Sequence, residues 1–203
     1  MPKVYSEEAR QDIIKRLHKA GEEGIKRYGV KKTTVDYLVK TAGIPKGTFY
    51  LFYESKELLL FEIIMEVHEE IEQDFFKDVA ALKHNMDIDA LTDVFLRIFK
   101  RCEESCILRM LTGDDMQILA EKLPPEVLAA HMESDTDNVE KLKLFFPQIE
   151  SKEAETIAGA LRGLFILLVQ KKQIGEAHFY DSMRLLIRGI LLQLIGKQEE
   201  ENE

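Results

Sequence analysis

The chain has 203 residues, 45% hydrophobic and 32% charged, with only 11 Gly, 5 Pro and 2 Cys. That balance excludes collagen-like, low-complexity and disulfide-scaffold classes and favours helices. The net charge of -9 hides a split, because Met1–Lys56 holds 12 Lys+Arg against 7 Asp+Glu, a net +5, leaving -14 for the remainder. A basic head on an acidic body suits a protein that meets a polyanion with one end only. The N-terminus lacks the apolar core of an export signal. The most apolar run, Leu164–Val169, is far below the ~20 residues of a membrane span, so the cytosol is the expected location.

From Ser6 the pattern predicts a helix. Ser6 is placed to cap it, Glu7 and Glu8 suit its positive end, and Ile14, Leu17, Gly21, Ile25 and Tyr28 trace one face. Gly29 is placed to stop it. Thr33 and Thr34 offer a second cap, and Val35, Leu38, Val39 and Ala42 predict a helix of about two turns that ends at Gly43. After the Ile44-Pro45 turn, a third helix is expected over Lys46–Tyr53, with Phe49 and Phe52 inward. Two short helices joined by a glycine turn behind a longer one form a helix-turn-helix pattern, which exposes its last helix. A plain three-helix cluster with ordinary surface residues fits the same periodicity.

Ser55 caps a long helix to about Leu82, whose stripe is Leu58, Phe61, Ile64, Met65, His68, Ile71 and Phe75. A further helix is expected over Ala90–Leu111 and a short one near Met116–Lys122. Pro124-Pro125 opens another, and Pro147 closes that region. The last third is the most apolar. Over Glu153–Lys172, Ile157, Leu161, Leu164, Phe165 and Leu168 share a face, with Ile166 and Leu167 opposite. Over Phe179–Gly196, the face is Met183, Leu186, Ile187, Ile190, Leu191, Leu194 and Ile195, with Leu185 and Leu192 outside it. Helices apolar on more than one side must be buried on more than one side, and a second copy of the chain is the simple solution. Gly159 and Gly163 would permit close helix approach.

The stretch Thr33–Leu59, TTVDYLVKTAGIPKGTFYLFYESKELL, closely resembles the DNA-binding segment of the tetracycline-repressor (TetR) family of bacterial transcription regulators. The likeness rests on the Thr pair, Ala42-Gly43, Lys46-Gly47-Thr48-Phe49-Tyr50 and Ser55-Lys56-Glu57, and extends over roughly Ser6–Leu60. It implies an all-α protein of about nine helices, with a DNA-binding head over 1–54 and an effector-binding and dimerisation body over 55–203. The last two helices of such a protein pair with their mates in a four-helix bundle. The interface would then use Ile157, Leu161, Leu164, Leu168, Leu186, Ile187, Ile190, Leu191 and Leu194.

Under that resemblance Lys46 opens the recognition helix and reaches base edges or a phosphate, and Gly47 lets the backbone approach DNA. Thr48, Tyr50 and Thr33 or Thr34 offer hydroxyls to phosphates, Lys56 is a further phosphate contact, and Leu51 faces outward toward a thymine methyl. Three positions depart from the family pattern: Pro45 where a capping Ser or Thr is common, Leu51 where a polar residue is frequent, and the reversed order of Phe52-Tyr53.

Other chemistry is set aside. His68-Glu69-Glu70-Ile71-Glu72 lacks the second His of a zinc-protease motif, and Asp135, Asp137 and Asn138 lack the Gly of a calcium loop. Cys102 and Cys106, four apart on one expected helical face, fit a redox or metal sensor or, more simply, small buried hydrophobes. An effector pocket is expected from Phe95, Ile98, Phe99, Cys102, Met110, Met132, Phe145, Phe146 and Phe165. The expected function is a DNA-binding regulator, a repressor released from its operator by a small molecule, with no cofactor, metal or catalytic residue. The alternatives are a DNA-binding regulator controlled by a protein partner, or an all-helical enzyme or metal carrier.

Overall fold

The computed structural model describes residues 5–82, 87–112, 114–127 and 151–195. Gly113, Met132, the Asp135–Asn138 stretch, Phe145, Phe146, Pro147 and Gly196 lie outside them. Among the described residues there is no strand; the helices are α1 (Glu7–Lys32), α2 (Val35–Ala42), α3 (Lys46–Phe49), α4 (Lys56–Ala81), α5 (Ile88–Glu104), α6 (Ile107–Thr112), α7 (Asp115–Lys122), α8 (Ser151–Val169), α9 (Lys171–Ile174) and α10 (Phe179–Ile195), the last preceded by a 3-10 turn over Glu176–His178. Two compact units emerge. One joins α1–α3 and the start of α4, up to Glu69, with Ser105 through α7; the other joins Glu70–Glu104 with α8–α10. The boundary expected after residue 54 is therefore not where the compact units part.

The first unit is built on α1. Ser6 Oγ accepts a hydrogen bond from the Ala9 amide at 3.3 Å, the expected N-cap. Its buried side is Ile13, Leu17, Ala20, Gly21, Gly24 and Ile25. Ile13, not Ile14, carries the stripe, and Tyr28 stays exposed with its ring edge-on to Tyr37. Gly29 has φ 75°, a left-handed torsion that L side chains rarely adopt, and the helix resumes for one more turn beyond it. A Cβ there would lie 2.8 Å from Asp115 Oδ2. The reversal aims the Gly29 carbonyl at Thr33, which donates both its amide (3.1 Å) and its hydroxyl (2.8 Å).

Thr34 then caps α2, accepting from the Tyr37 amide at 3.2 Å, and Gly43 ends it in the left-handed region. Pro45 precedes α3 and makes no side-chain cap. That helix has only four residues. It continues as a turn in which the Leu51 and Phe52 amides donate to the Thr48 and Phe49 carbonyls. Such i to i+3 bonds tighten a helix end, so the expected Lys46–Tyr53 helix is a single turn plus a turn. Phe49 is fully buried in a core shared with Leu17, Ile25, Leu38, Leu59, Leu60 and Ile64. Ser55 caps α4 through the Leu58 amide at 3.2 Å.

The helix expected over Ala90–Leu111 is broken. It stops at Glu104 and restarts at Ile107, where the Ser105 hydroxyl accepts from the Ile107 amide at 3.1 Å. Cys102 and Cys106 thus lie in different elements and different compact units, not on one helical face. Burial pushes the Cys102 thiol up to about 11 and the Cys106 thiol up to about 12, so both are packed hydrophobes rather than reactive thiolates.

In the second unit α5 packs on α10 and α8. Phe99 stacks on Phe165 at 4.6 Å and Phe95 on Phe75 at 5.2 Å, between ring centres. Arg188 reaches Asp89 at 2.8 Å, and Arg184 pairs with Asp93, one turn away on each helix.

Gly29→Ala is expected to cost about 1–3 kcal/mol from the torsion and the crowded Asp115 carboxylate; urea unfolding followed by circular dichroism measures it. Glu57, buried on α4, offers a pH test. Burial alone would raise its carboxyl, but hydrogen bonds from Lys122 (3.0 Å) and the Lys56 charge (3.3 Å) hold it below the usual carboxylate range. A depressed carboxyl contributes stability above its unfolded pKa and loses it as pH falls through the folded one. Glu57→Gln should therefore lower the melting temperature at pH 7 and narrow its gap to the parent protein in acid.

Candidate nucleic-acid interface

The outward edge of the first unit is drawn by α2, the turn after it and α3. Lys46, at the start of α3, is exposed, and its Nζ lies 2.8 Å from Asp36 Oδ1 on α2. Hydrogen bonding to Asp36, helped by that residue's charge, holds the Lys46 ammonium above the usual lysine range. Gly47 is exposed, and a Cβ on it would meet no atom within 4 Å. Tyr50 and Leu51 are half exposed, with the Tyr50 ring edge-on against Phe49 at 5.3 Å. An amphipathic turn explains this: Phe49 anchors the turn from behind, and Tyr50 and Leu51 stay on its outer side.

Three expected contacts sit elsewhere. Thr33 is fully buried, and its hydroxyl is spent on the Gly29 carbonyl; Thr34, the exposed member of the pair, is the one beside the surface. Thr48 is buried, with Oγ1 3.2 Å from the Tyr5 hydroxyl. Lys56 turns inward: Nζ donates to the Val30 carbonyl at 2.7 Å and lies 3.3 Å from Glu57 Oε1. Withdrawing that ammonium to reach a phosphate would strand the Val30 carbonyl and leave the buried Glu57 carboxylate to Lys122 alone, which costs more than an exposed contact returns. Lys56 is therefore a clasp between α4 and the corner of α1.

Sequence reasoning passed over several cations. Lys31 and Lys32, in the last turn of α1, are exposed immediately before the Thr34 cap, and Lys40 is exposed on α2. Their adjacency to the Thr pair was the available signal. Arg10 lies over the Phe52 ring, 4.9 Å from its centre. Two further residues hold the corner of α1 from behind. Asp115, buried on α7, accepts from the Val30 amide at 3.1 Å, and Arg109 on α6 reaches the Ile25 and Arg27 carbonyls at 3.4 and 3.3 Å. Nothing in the sequence linked residues more than eighty positions apart.

The expected effector residues divide. Met110 belongs to the core of the first unit, whereas Phe95, Phe99 and Cys102 are buried in the second, with Ile98 and Phe165 half-buried there. The expected interface residues divide as well. Ile157, Leu164, Leu168, Ile187 and Leu191 are buried within one chain, so they are core. Leu161 and Ile190 are half-buried, and the Leu194 side chain lies outside the described residues. Among the described residues of α8 and α10, the exposed large apolar side chains are Ile166 (64%), Leu185 (75%), Leu186 (46%) and Leu192 (40%).

A short helix held outward by two others, with a cation, a bare glycine and a tyrosine on its free side, is the architecture of a helix-turn-helix DNA-binding protein. The chain matches, over residues 17–63, the model for bacterial regulatory proteins of the tetR family. Over 62 residues it is 36% identical to YhgD of Bacillus subtilis strain 168, an uncharacterized HTH-type transcriptional regulator; the match spans 30% of this chain and 32% of that relative. The fold is similar to that of the fatty acid degradation regulator FadR from Bacillus halodurans, with a TM-score of 0.52 and 19% identity over 95% of this chain and 97% of that one. It is also similar to FadR of Thermus thermophilus, a TetR-family transcriptional repressor in complex with lauroyl-CoA, with a TM-score of 0.51 and 18% identity over 88% and 93% of the two chains. Among the described residues no helix is long and apolar enough to cross a membrane.

Two substitutions separate surface from scaffold. Lys46→Ala should weaken DNA binding and reduce the magnitude of the log-log salt slope by about 1 per subunit. Lys56→Ala should leave that slope unchanged while lowering the melting temperature. Fluorescence anisotropy across a salt series, paired with thermal melts, reads both.

Proposed function

We propose that the chain is a homodimeric operator-binding repressor released from DNA by a small-molecule effector. The observation that carries DNA recognition is the outward set of Lys46, Gly47, Tyr50 and Leu51 over a closed core, beside Thr34 and the lysines 31 and 32. Footprinting on the DNA upstream of its own gene tests it: a protected pair of half-sites is expected, and no protection at low salt would overturn it.

Dimerisation is supported by what one chain leaves uncovered. Gly159, Gly163 and Ile166 on α8 repeat at i, i+4 and i+7, as do Leu185, Gly189 and Leu192 on α10. A Cβ on Gly163 or Gly189 would meet no atom within 4 Å. That second face is our interface, in place of Ile157, Leu164, Leu168, Ile187 and Leu191. Two heads on such a dimer must enter successive major grooves about 34 Å apart, so an effector that favours another spacing releases the DNA.

An acyl-CoA is the effector class this reading favours. The Thermus relative is named with lauroyl-CoA and the Bacillus halodurans one with fatty acid degradation. Phe95, Ile98, Phe99, Cys102 and Phe165 of the second unit are the apolar side chains assigned to the acyl chain. Lauroyl-CoA added to the operator complex should lower operator affinity at least tenfold. Lauroyl-CoA that binds the protein and leaves operator affinity unchanged would refute the coupling.

For the interface, Leu185→Glu should give monomers by light scattering with intact helicity. Leu191→Ala should instead cost about 2–5 kcal/mol of stability, as a core deletion does, and leave the assembly state unchanged.

A further inference from the structure

We propose that His18, Glu62 and Glu66 form a site for one divalent first-row transition-metal ion, which ties α4 to α1. His18 comes from α1, and the two glutamates stand one turn apart on α4. One ligand atom from each residue lies within 4.8 Å of the others. Nδ1 of His18 is 2.7 Å from Glu66 Oε2, and Nε2 is 3.5 Å from Glu62 Oε1. The imidazole is largely buried, with 15% of its side chain exposed, while both carboxylates are about half exposed. The ring is thus a fixed donor, and the carboxylates are free to close on an ion.

The hydrogen bonds around the ring are compatible with a ligating histidine. Nε2 also lies 2.9 Å from the Tyr53 hydroxyl, which in turn is 3.4 Å from Glu62 Oε1. Tyr53 has one proton. If Tyr53 donates to Glu62, Nε2 must carry a hydrogen and donate to the Tyr53 oxygen. The Nδ1 lone pair of a neutral ring would then face the Glu66 carboxylate with nothing between them. In that tautomer Nδ1 can ligate an ion, and the Nε2 hydrogen bond becomes the outer partner that orients a ligating histidine. Two carboxylates at i, i+4 also repel each other. Among the described residues neither is paired with a lysine or arginine.

One imidazole nitrogen with two carboxylate oxygens suits Zn2+ or Mn2+, whereas Mg2+ and Ca2+ prefer all-oxygen shells. The ion would sit behind the recognition segment, because the Tyr53 ring packs on Phe49 at 6.0 Å.

The test uses the full chain, stripped with a chelator and held at pH 8, titrated with Zn2+ and with Mn2+ by calorimetry and by thermal melts. One ion per chain and a raised melting temperature are expected. Glu62→Gln with Glu66→Gln should abolish that saturable binding without lowering the melting temperature of the metal-free protein. Tyr53→Phe should keep the stoichiometry and weaken affinity by about tenfold or more. Should the double variant misfold by circular dichroism, Glu66→Gln alone is read in the same way. Absence of saturable binding up to millimolar ion, binding that survives loss of the carboxylates, or Mg2+ matching Zn2+ would each overturn the assignment.

Discussion

The reversed torsion at Gly29 sets where the chain turns from α1 into α2 and α3. Breaking a helix exposes backbone donors and acceptors that must be satisfied if the corner is buried. Here each is taken by a different element. The Gly29 carbonyl goes to Thr33, the Val30 amide to Asp115 of α7, and the Val30 carbonyl to Lys56 of α4. Leaving one such group unpaired costs about 1–3 kcal/mol, a large fraction of a domain's net stability. The corner therefore explains why residues 105–122 belong with the head. Without α7 the Val30 amide would be buried alone.

The same corner sorts the cations. An exposed lysine is available to a phosphate; one already neutralised within the core is not. Lys46 sits between these cases, since Asp36 holds it at 2.8 Å while both side chains remain more than half exposed. Such a pair is worth little in water and is easily exchanged for a phosphate contact. Lys56 has no such freedom. Two lysines that read alike in sequence thus differ by what their neighbours would lose on release.

Much of the head was legible because its signals are local. Ser6, Thr34 and Ser55 cap where side-chain chemistry places them, and Gly29 and Gly43 take the left-handed torsions that only glycine adopts cheaply. The illegible part is tertiary. Ile13 replaced Ile14 in the core because the stripe follows the packing partners, and periodicity alone tolerates a shift of one. The break at Ser105 escaped notice because a serine inside an apolar pattern carries no strong stop signal. The contacts of Asp115 with the α1 corner and of His18 with α4 join residues 85 and 48 positions apart, a link no local pattern encodes.

In the second unit the same limit inverted a face. A helix apolar on two sides gives no sequence clue to which side turns inward. On α10 the choice is made by charge: Arg184 and Arg188 reach Asp93 and Asp89 of α5, and that ladder turns Met183, Ile187 and Leu191 toward α5. Leu185, Gly189 and Leu192 are then left on the far side by helical geometry alone. An ion pair contributes little net energy, but a wrong rotation would bury arginines against apolar side chains. The Arg–Asp ladder therefore fixes the orientation of the helix, and through it which apolar face is left bare.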